Sequence, residues 1–384
     1  MTYSVNQHWD QLRVCAVGSP YPPEFYSFVK NGQVRSVMEK ISIETEEDFQ
    51  QLIHLLRSNS VEIVRTEIQN DAVLEDKLLP PPLSPRDHFA MIGEKFYAPE
   101  PARNRKWNYI RNRFYPVNPP QNQSDFDALP KIVKMDLKSR HNIQSIFDIY
   151  GFDYAGLRPI VDLVEKNNTQ LILNKDINSA MVCRIGVDLY FGTWPGQDKD
   201  LLLLNMQQEF PDYRCHIVET DGHLDGVFCP VTEGLILCRY DYIDKINFDK
   251  LFPGWEIVSI NQPISKKDHL YNHLKEKTAG RWWVPGEEYN DEFTDFVNAY
   301  MDFCVGNIEE TTIGVNALML NKNNLICCEE DTRIFKILEQ YNITPHVIPF
   351  RHHYFWDNGI HCLTCDLDRD GQRNDYFPER KVCP

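Results

Sequence analysis

The chain has 384 residues and a formal net charge of −16, with 42% hydrophobic and 25% charged residues. That length can bury one large core or two ordinary ones, the composition is that of a soluble globular protein, and the acidity argues against nucleic-acid binding, which needs a basic face. No run approaches the ~18 apolar residues of a membrane-spanning helix, Leu201 to Leu204 being the nearest, and the polar N-terminus lacks a signal-peptide core, so a cytoplasmic location is expected. Eleven cysteines without regular spacing read as free, mostly buried thiols of a reducing compartment.

In chain order, a first strand is predicted at Leu12 to Gly18. An amphipathic helix follows at Glu46 to Arg57, where Phe49, Leu52, Ile53 and Leu56 share a face, and then an alternating strand at Val61 to Thr66. Prolines 80–82 and 85 interrupt regular structure before a hairpin, Phe89 to Tyr97, that turns at Gly93-Glu94. Between Pro101 and Tyr115 basic and aromatic residues interleave, a pattern that suits single-stranded nucleic acid but reads here as a solvated helix face. Met135 to Leu173 reads as helix. A three-part pattern then recurs. Met181 to Phe191 is strand, turn, strand, followed by a helix at Leu202 to Phe210 and a strand at Cys215 to Glu219. Gly226 to Cys238 turns at Glu233-Gly234 and is followed by a short helix near Phe248 to Phe252 and a strand at Trp255 to Ile260. Gly314 to Cys328 turns at Asn321 to Asn324 and precedes a helix at Arg333 to Tyr341 and a strand at His346 to Phe350. With the Phe89 hairpin this makes four ββαβ units, and the strands at Cys362 and Leu12 complete a fifth. The fold predicted is a five-bladed, pseudo-symmetric α/β propeller forming one domain over 1–384, with insertions near 116–175 and 265–302. The repeats close on polar runs, Thr220 to His223, Asn261-Gln262 and Arg351 to His353, where a site would gather.

Three features carry candidate chemistry. His223 and Asp225 stand two apart in a stretch read as extended, which would project both side chains from one face. Asp188 lies inside an otherwise apolar strand, where a carboxylate costs several kcal/mol unless paired; a turn or solvent-facing position is the plainer reading. Near the C-terminus, Asn358-Gly359 forms a turn that delivers Cys362, preceded by His361, to the start of a strand. Cys362-x-x-Cys365 with neighbouring histidines admits a half zinc site, a buried structural cysteine or a nucleophile with distant His and Asp partners.

Taken together, Gly359 to Asp366, His223-Leu224-Asp225, Arg184 to Asp188 and Pro85-Arg86-Asp87 resemble the arginine:glycine amidinotransferase family of the arginine deiminase-like superfamily, collinearly from Trp9-Asp10 to Asp366. The resemblance implies a five-bladed propeller with an axial site and no metal or organic cofactor. It implies that Cys362 attacks the guanidinium carbon of arginine or a related donor, that His223 moves protons, and that Asp87 and Asp225 grip the guanidinium. His361 is placed in the substrate site by the same motif. Partners would be small-molecule substrates, arginine as donor and an amine as acceptor, with no nucleic acid or membrane, in a chain that could form a homodimer.

The chain departs from the family pattern in four places. The acid that orients the histidine falls at Asn178, leaving Asp176 and Asp188 as substitutes. The glycines before His-Cys become Asp357-Asn358-Gly359. The arginine that holds the donor's carboxylate falls at Tyr242, with Arg239 close by. A serine pair becomes Glu309-Glu310, so an acceptor other than glycine is expected. The alternatives are a guanidine hydrolase using water as acceptor and a non-catalytic propeller scaffold.

Overall fold

The computed structural model describes residues 2–68, 73–74, 77–78, 81–98, 126–141, 156–173, 177, 179–220, 222–260, 284, 286–287, 290–301 and 314–380. Among them, five three-stranded sheets share one topology, and a two-stranded ribbon, Val73–Leu74 with Lys77–Leu78, stands apart. In each sheet the first strand is antiparallel to the middle one, and a helix crosses over to a third strand parallel to the middle one. The first blade joins the two ends of the chain: Thr364–Asp370, then Gln11–Val17, then Glu62–Arg65 after the helix Gly32–Ser58. The second is Ala90–Ile92, Lys95–Ala98 and Gln170–Leu173. The third is Val182–Ile185, Asp188–Thr193 and Arg214–Glu219, the fourth Phe228–Thr232, Leu235–Arg239 and Glu256–Ile260, and the fifth Leu318–Asn321, Asn324–Cys327 and Thr344–Val347.

Four apolar clusters close these sheets into a ring. Val14, Ala16, Cys365 and Leu367 of the first blade pack with Met91, Phe96 and Ala98 of the second. Ala90, Ile92 and Tyr97 pack with Val182, Leu189 and Phe191 of the third. The third, fourth and fifth share a cluster that includes Ile185, Leu237 and Leu325. Leu318, Leu320 and Ile326 of the fifth return to Leu12, Cys15 and Val17 of the first. Each sheet is thus covered on both faces, which is why its strands read as nearly continuous apolar runs. This is the five-bladed α/β propeller expected from the repeats.

Three predicted elements differ from those observed. The helix expected at Glu46 to Arg57 begins at Gly32, where the Asn31 side chain accepts from the Gln33 and Val34 amides. Its apolar stripe continues through Val34, Val37, Met38 and Ile41, but the buried polar Ser42, Thr45 and Asp48 mask it in sequence. The strand expected at His346 to Phe350 is Thr344–Val347 instead. Beyond it, Asp48 accepts from the Arg351 amide at 2.8 Å and draws the chain out of the sheet. The helix reading of Met135 to Leu173 resolves into Lys131–His141, Arg158–Lys166 and the strand Gln170–Leu173; residues 142–155 lie outside the described residues. The basic and aromatic stretch from Pro101 to Tyr115 and the loop 116–124 also lie outside them.

Candidate active site

The strand directions decide where the chemistry collects. In every blade the middle and third strands run toward one end, and the first strand starts from that same end. The residues just ahead of the five first strands therefore meet there. They are Cys362 ahead of Thr364, Asp87 ahead of Ala90, the 3-10 turn Ser179–Met181 ahead of Val182, Asp225 ahead of Phe228, and Asn316 ahead of Leu318. The repeat itself gathers the site.

Cys362 is buried. Its sulfur lies 3.5 Å from Asp225 Oδ2 and accepts a hydrogen bond from Asn316 Nδ2 at 3.0 Å. Its amide donates to Asn316 Oδ1, also at 3.0 Å. Gly359 is required by this arrangement rather than by its φ angle, because a Cβ there would stand 2.5–2.8 Å from the Asn316 side chain. The left-handed residue of the loop is Asp357, at φ 51°. Burial pushes the Cys362 thiol well above its ordinary range, with Asp225 and Asp87 adding to the rise and Asn316 and the Gly359 backbone opposing it. Cys365, three positions on, faces the Phe89 carbonyl at 3.6 Å inside the strand.

His361 Nδ1 lies 2.7 Å from Asp225 Oδ2. Burial, then Arg86, holds this imidazole down to about 4 against the pull of Asp225, so it is neutral and donates its Nδ1–H to the carboxylate. Asp225 itself sits below the ordinary carboxylate range: burial works to raise it, but the hydrogen bond from His361 and the positive charge of Arg86 prevail. Asp225 Oδ1 is buried and has no hydrogen-bond partner among the described residues.

His223 and Asp225 both reach the site, though not by sharing a face of an extended strand. His223 caps a 3-10 turn, Leu224–Gly226, that carries Asp225 inward. His223 Nδ1 lies 3.9 Å from Asp87 Oδ1, and the Trp194 ring stands 6.2 Å away.

Asp188 is not the carboxylate that orients His223. Its oxygens are held by Arg214 at 2.7 Å, His216 Nε2 at 2.7 Å and Arg380 at 2.9 Å. Asp188 opens its strand opposite Arg214, whereas His223 follows the far end of that pairing, where Thr193 meets Glu219. Five residues of strand separate the two ends, about 17 Å. The polar run at Arg351 also leaves the site: Arg351 binds Glu47 and Asp48, and His352 binds Glu44. Arg239 ends the middle strand of the fourth blade, where Asp241 grips it bidentately at 2.7 and 3.0 Å and the buried Tyr242 ring lies 4.6 Å beneath it. Asp176, Asn178, Glu309 and Glu310 lie outside the described residues.

The other motif residues brace the floor. Asp366 is fully buried and binds Arg86 at 2.7 Å, Arg184 at 2.9 Å and Arg369 at 2.7 Å, tying three guanidinium groups beneath Cys362. Arg86 also donates to the Thr364 and His361 carbonyls, which fixes the turn that presents the sulfur. Asn316 has no counterpart in the sequence reading. An asparagine carries no signal of its own, and only its place two residues ahead of a repeated hairpin marks it.

No protein-family model matches the chain. The mitochondrial glycine amidinotransferase of Xenopus tropicalis is 22% identical over 410 aligned residues, spanning 96% of this chain and 83% of that protein. Its Xenopus laevis counterpart is 24% identical over 173 residues, 44% of this chain and about a third (32%) of that protein's length. Among solved structures, the inosamine-phosphate amidinotransferase of Streptomyces griseus superposes with a TM-score of 0.61 at 13% identity, covering 97% of this chain and 99% of that one. An amidinotransferase of the saxitoxin biosynthetic pathway from Microseira wollei gives 0.60 at 16% identity, over 98% and 99%. The chain resembles the amidinotransferases over nearly its whole length and has their fold.

Proposed function

We propose that the chain is an amidinotransferase in which Cys362 carries the amidino group from a guanidine donor, arginine in the first instance, to an acceptor amine. Asp225 carries this reading. One of its oxygens is buried without a partner among the described residues, and the other stands 3.5 Å from a buried thiol. A half-satisfied carboxylate beside a thiol is unfavourable in a low dielectric. A planar guanidinium supplies the missing donors and the compensating charge together, and Asp87 offers a second carboxylate near His223.

The chemistry then follows in two halves. Cys362 gives its proton to neutral His223, and the resulting thiolate attacks the guanidinium carbon to form an S–C bond. The C–N bond to the ornithine nitrogen breaks as protonated His223 gives that nitrogen a proton. Ornithine leaves, and a cationic amidino group remains on sulfur. His223, now neutral, takes a proton from the acceptor amine as it attacks the same carbon. The C–S bond breaks, the thiolate returns, and the new guanidine departs.

The acceptor is read as carrying a second amine or several hydroxyls rather than glycine's carboxylate. Glu309-Glu310 replace the family's serines, and the Arg239 guanidinium, three residues from Tyr242 in sequence, is already gripped by Asp241. Incubation with arginine and a panel of amines tests the whole reading. Ornithine together with an amidinated amine is the expected result; citrulline identifies a hydrolase, and neither product leaves a scaffold. A clear preference for glycine over a diamine or aminated sugar overturns the acceptor assignment.

A further inference from the structure

We propose that Asn316 is the positioning residue of the nucleophile: its amide clamps Cys362 from both sides and stabilises the sulfur as the thiolate. This rests on the assignment of Cys362 as nucleophile, and extends it to a residue ahead of a different blade.

Asn316 Oδ1 accepts the Cys362 amide hydrogen at 3.0 Å, while one Nδ2 hydrogen points to the Cys362 sulfur at 3.0 Å and Nδ2 also lies 3.4 Å from the Asp225 carbonyl. These contacts fix which way the amide faces. Reversed, its oxygen would meet the Asp225 carbonyl and its NH2 would meet the Cys362 N–H, so both of those contacts would be repulsive. The backbone completes the clamp, because the Asn316 carbonyl accepts from the His361 amide at 3.2 Å. The side chain is fully buried and cannot swing away, with Gly359 pressed against it.

The electrostatic need is specific. The ionisable groups acting on the sulfur include Asp225 and Asp87, both of which oppose a thiolate. His361 is neutral and turned to Asp225, His223 Nδ1 stands 3.9 Å from Asp87, and Arg86 donates to the His361 carbonyl. Asn316 is therefore a side-chain donor placed directly on the sulfur in a site whose nearest charges are negative. An N–H donor favours the anion over the thiol, and it leaves the sulfur's remaining directions to the incoming carbon.

The test measures the thiol, not only turnover. Alkylation of Cys362 by iodoacetamide is followed by peptide mass spectrometry across pH in the full-length chain, for wild type and for Asn316→Ala, Asn316→Asp and Asn316→Ser, with thermal melting as the folding control. The midpoint pH should rise by one unit or more in the Ala and Asp variants, and by less in Ser, which keeps a small donor. Asn316→Asp adds a carboxylate that raises the midpoint by its own charge, so the uncharged Ala variant carries the test of the lost donor. In the same variants kcat should fall at least 100-fold with KM within a few-fold. A wild-type alkylation midpoint in any folded Ala or Asp variant overturns the proposal. Activity retained by Cys362→Ala would instead overturn the nucleophile assignment, and the alkylation profiles would still report on Asn316.

Discussion

His361 Nδ1 donates to Asp225 Oδ2 at 2.7 Å, so the histidine that precedes the sulfur in sequence acts on the carboxylate that faces it in space. The ring is buried with its Nδ1 committed to Asp225, which makes His361 a residue that orients Asp225 more than one that meets substrate. His361→Ala should then lower kcat/KM by roughly 10- to 100-fold, the size of one charge-assisted hydrogen bond. His361→Asn, which keeps a donor near the same position, should recover part of that loss. Steady-state kinetics on both variants decides it; equal loss in the two would return His361 to a direct role.

Cys362→Ala should abolish turnover with the fold intact, whereas Cys365→Ser should remain active. Cys365 is fully buried with its sulfur facing the Phe89 carbonyl, so its replacement costs stability, about 1–3 kcal/mol, and not chemistry. Paired activity assays and urea denaturation check this. An inactive but folded Cys365→Ser would reverse the assignment.

Asp188 is expected to matter for stability alone. Removing its charge strands Arg214 and Arg380 beside a neutral amide, a loss of roughly 3–5 kcal/mol for a buried pair. Well below its melting temperature, Asp188→Asn should keep kcat within a few-fold of wild type. Denaturation midpoints and kinetics on the same preparation separate the two effects.

Stability should fall as the solution is acidified from about pH 6.5 toward 4. Burial holds His88 and His361 at about 4 in the folded chain, and burial with Arg184 and His361 holds His8 well below its ordinary value. Unfolded, each titrates near 6.5. Between these limits the unfolded chain binds more protons than the folded one, so the stability present above pH 6.5 is lost on the way down. The loss amounts to the order of 3 kcal/mol per histidine for the two held at about 4. Urea midpoints at pH 7 and pH 5 measure it; equal midpoints would contradict the neutral state of these rings.

The repeated hairpins were legible because apolar strands, turn residues and crossover helices recur at regular intervals, and one blade predicts the next. Cys362, His223 and Asp225 were legible as residue types in a collinear pattern, although the 3-10 turn that carries Asp225 was not. Asp188 misled because its partner Arg214 lies across the strand pairing, 26 residues on, and sequence spacing does not show register. Asn316 was silent for the opposite reason: its bonds to Cys362 span 46 residues, and an amide has no chemistry of its own to advertise.

The blade that carries Cys362 is made by the pairing of Gln11 with Asp370 and of Val17 with Thr364. Until those distant segments meet, the sulfur has neither its strand nor the carboxylates and amide supplied by other blades. A nascent or truncated chain therefore carries an ordinary cysteine. On the proposed assignment of Cys362 as nucleophile, reactivity is conferred by ring closure, and a polypeptide that fails to finish folding would leave the guanidines around it unmodified.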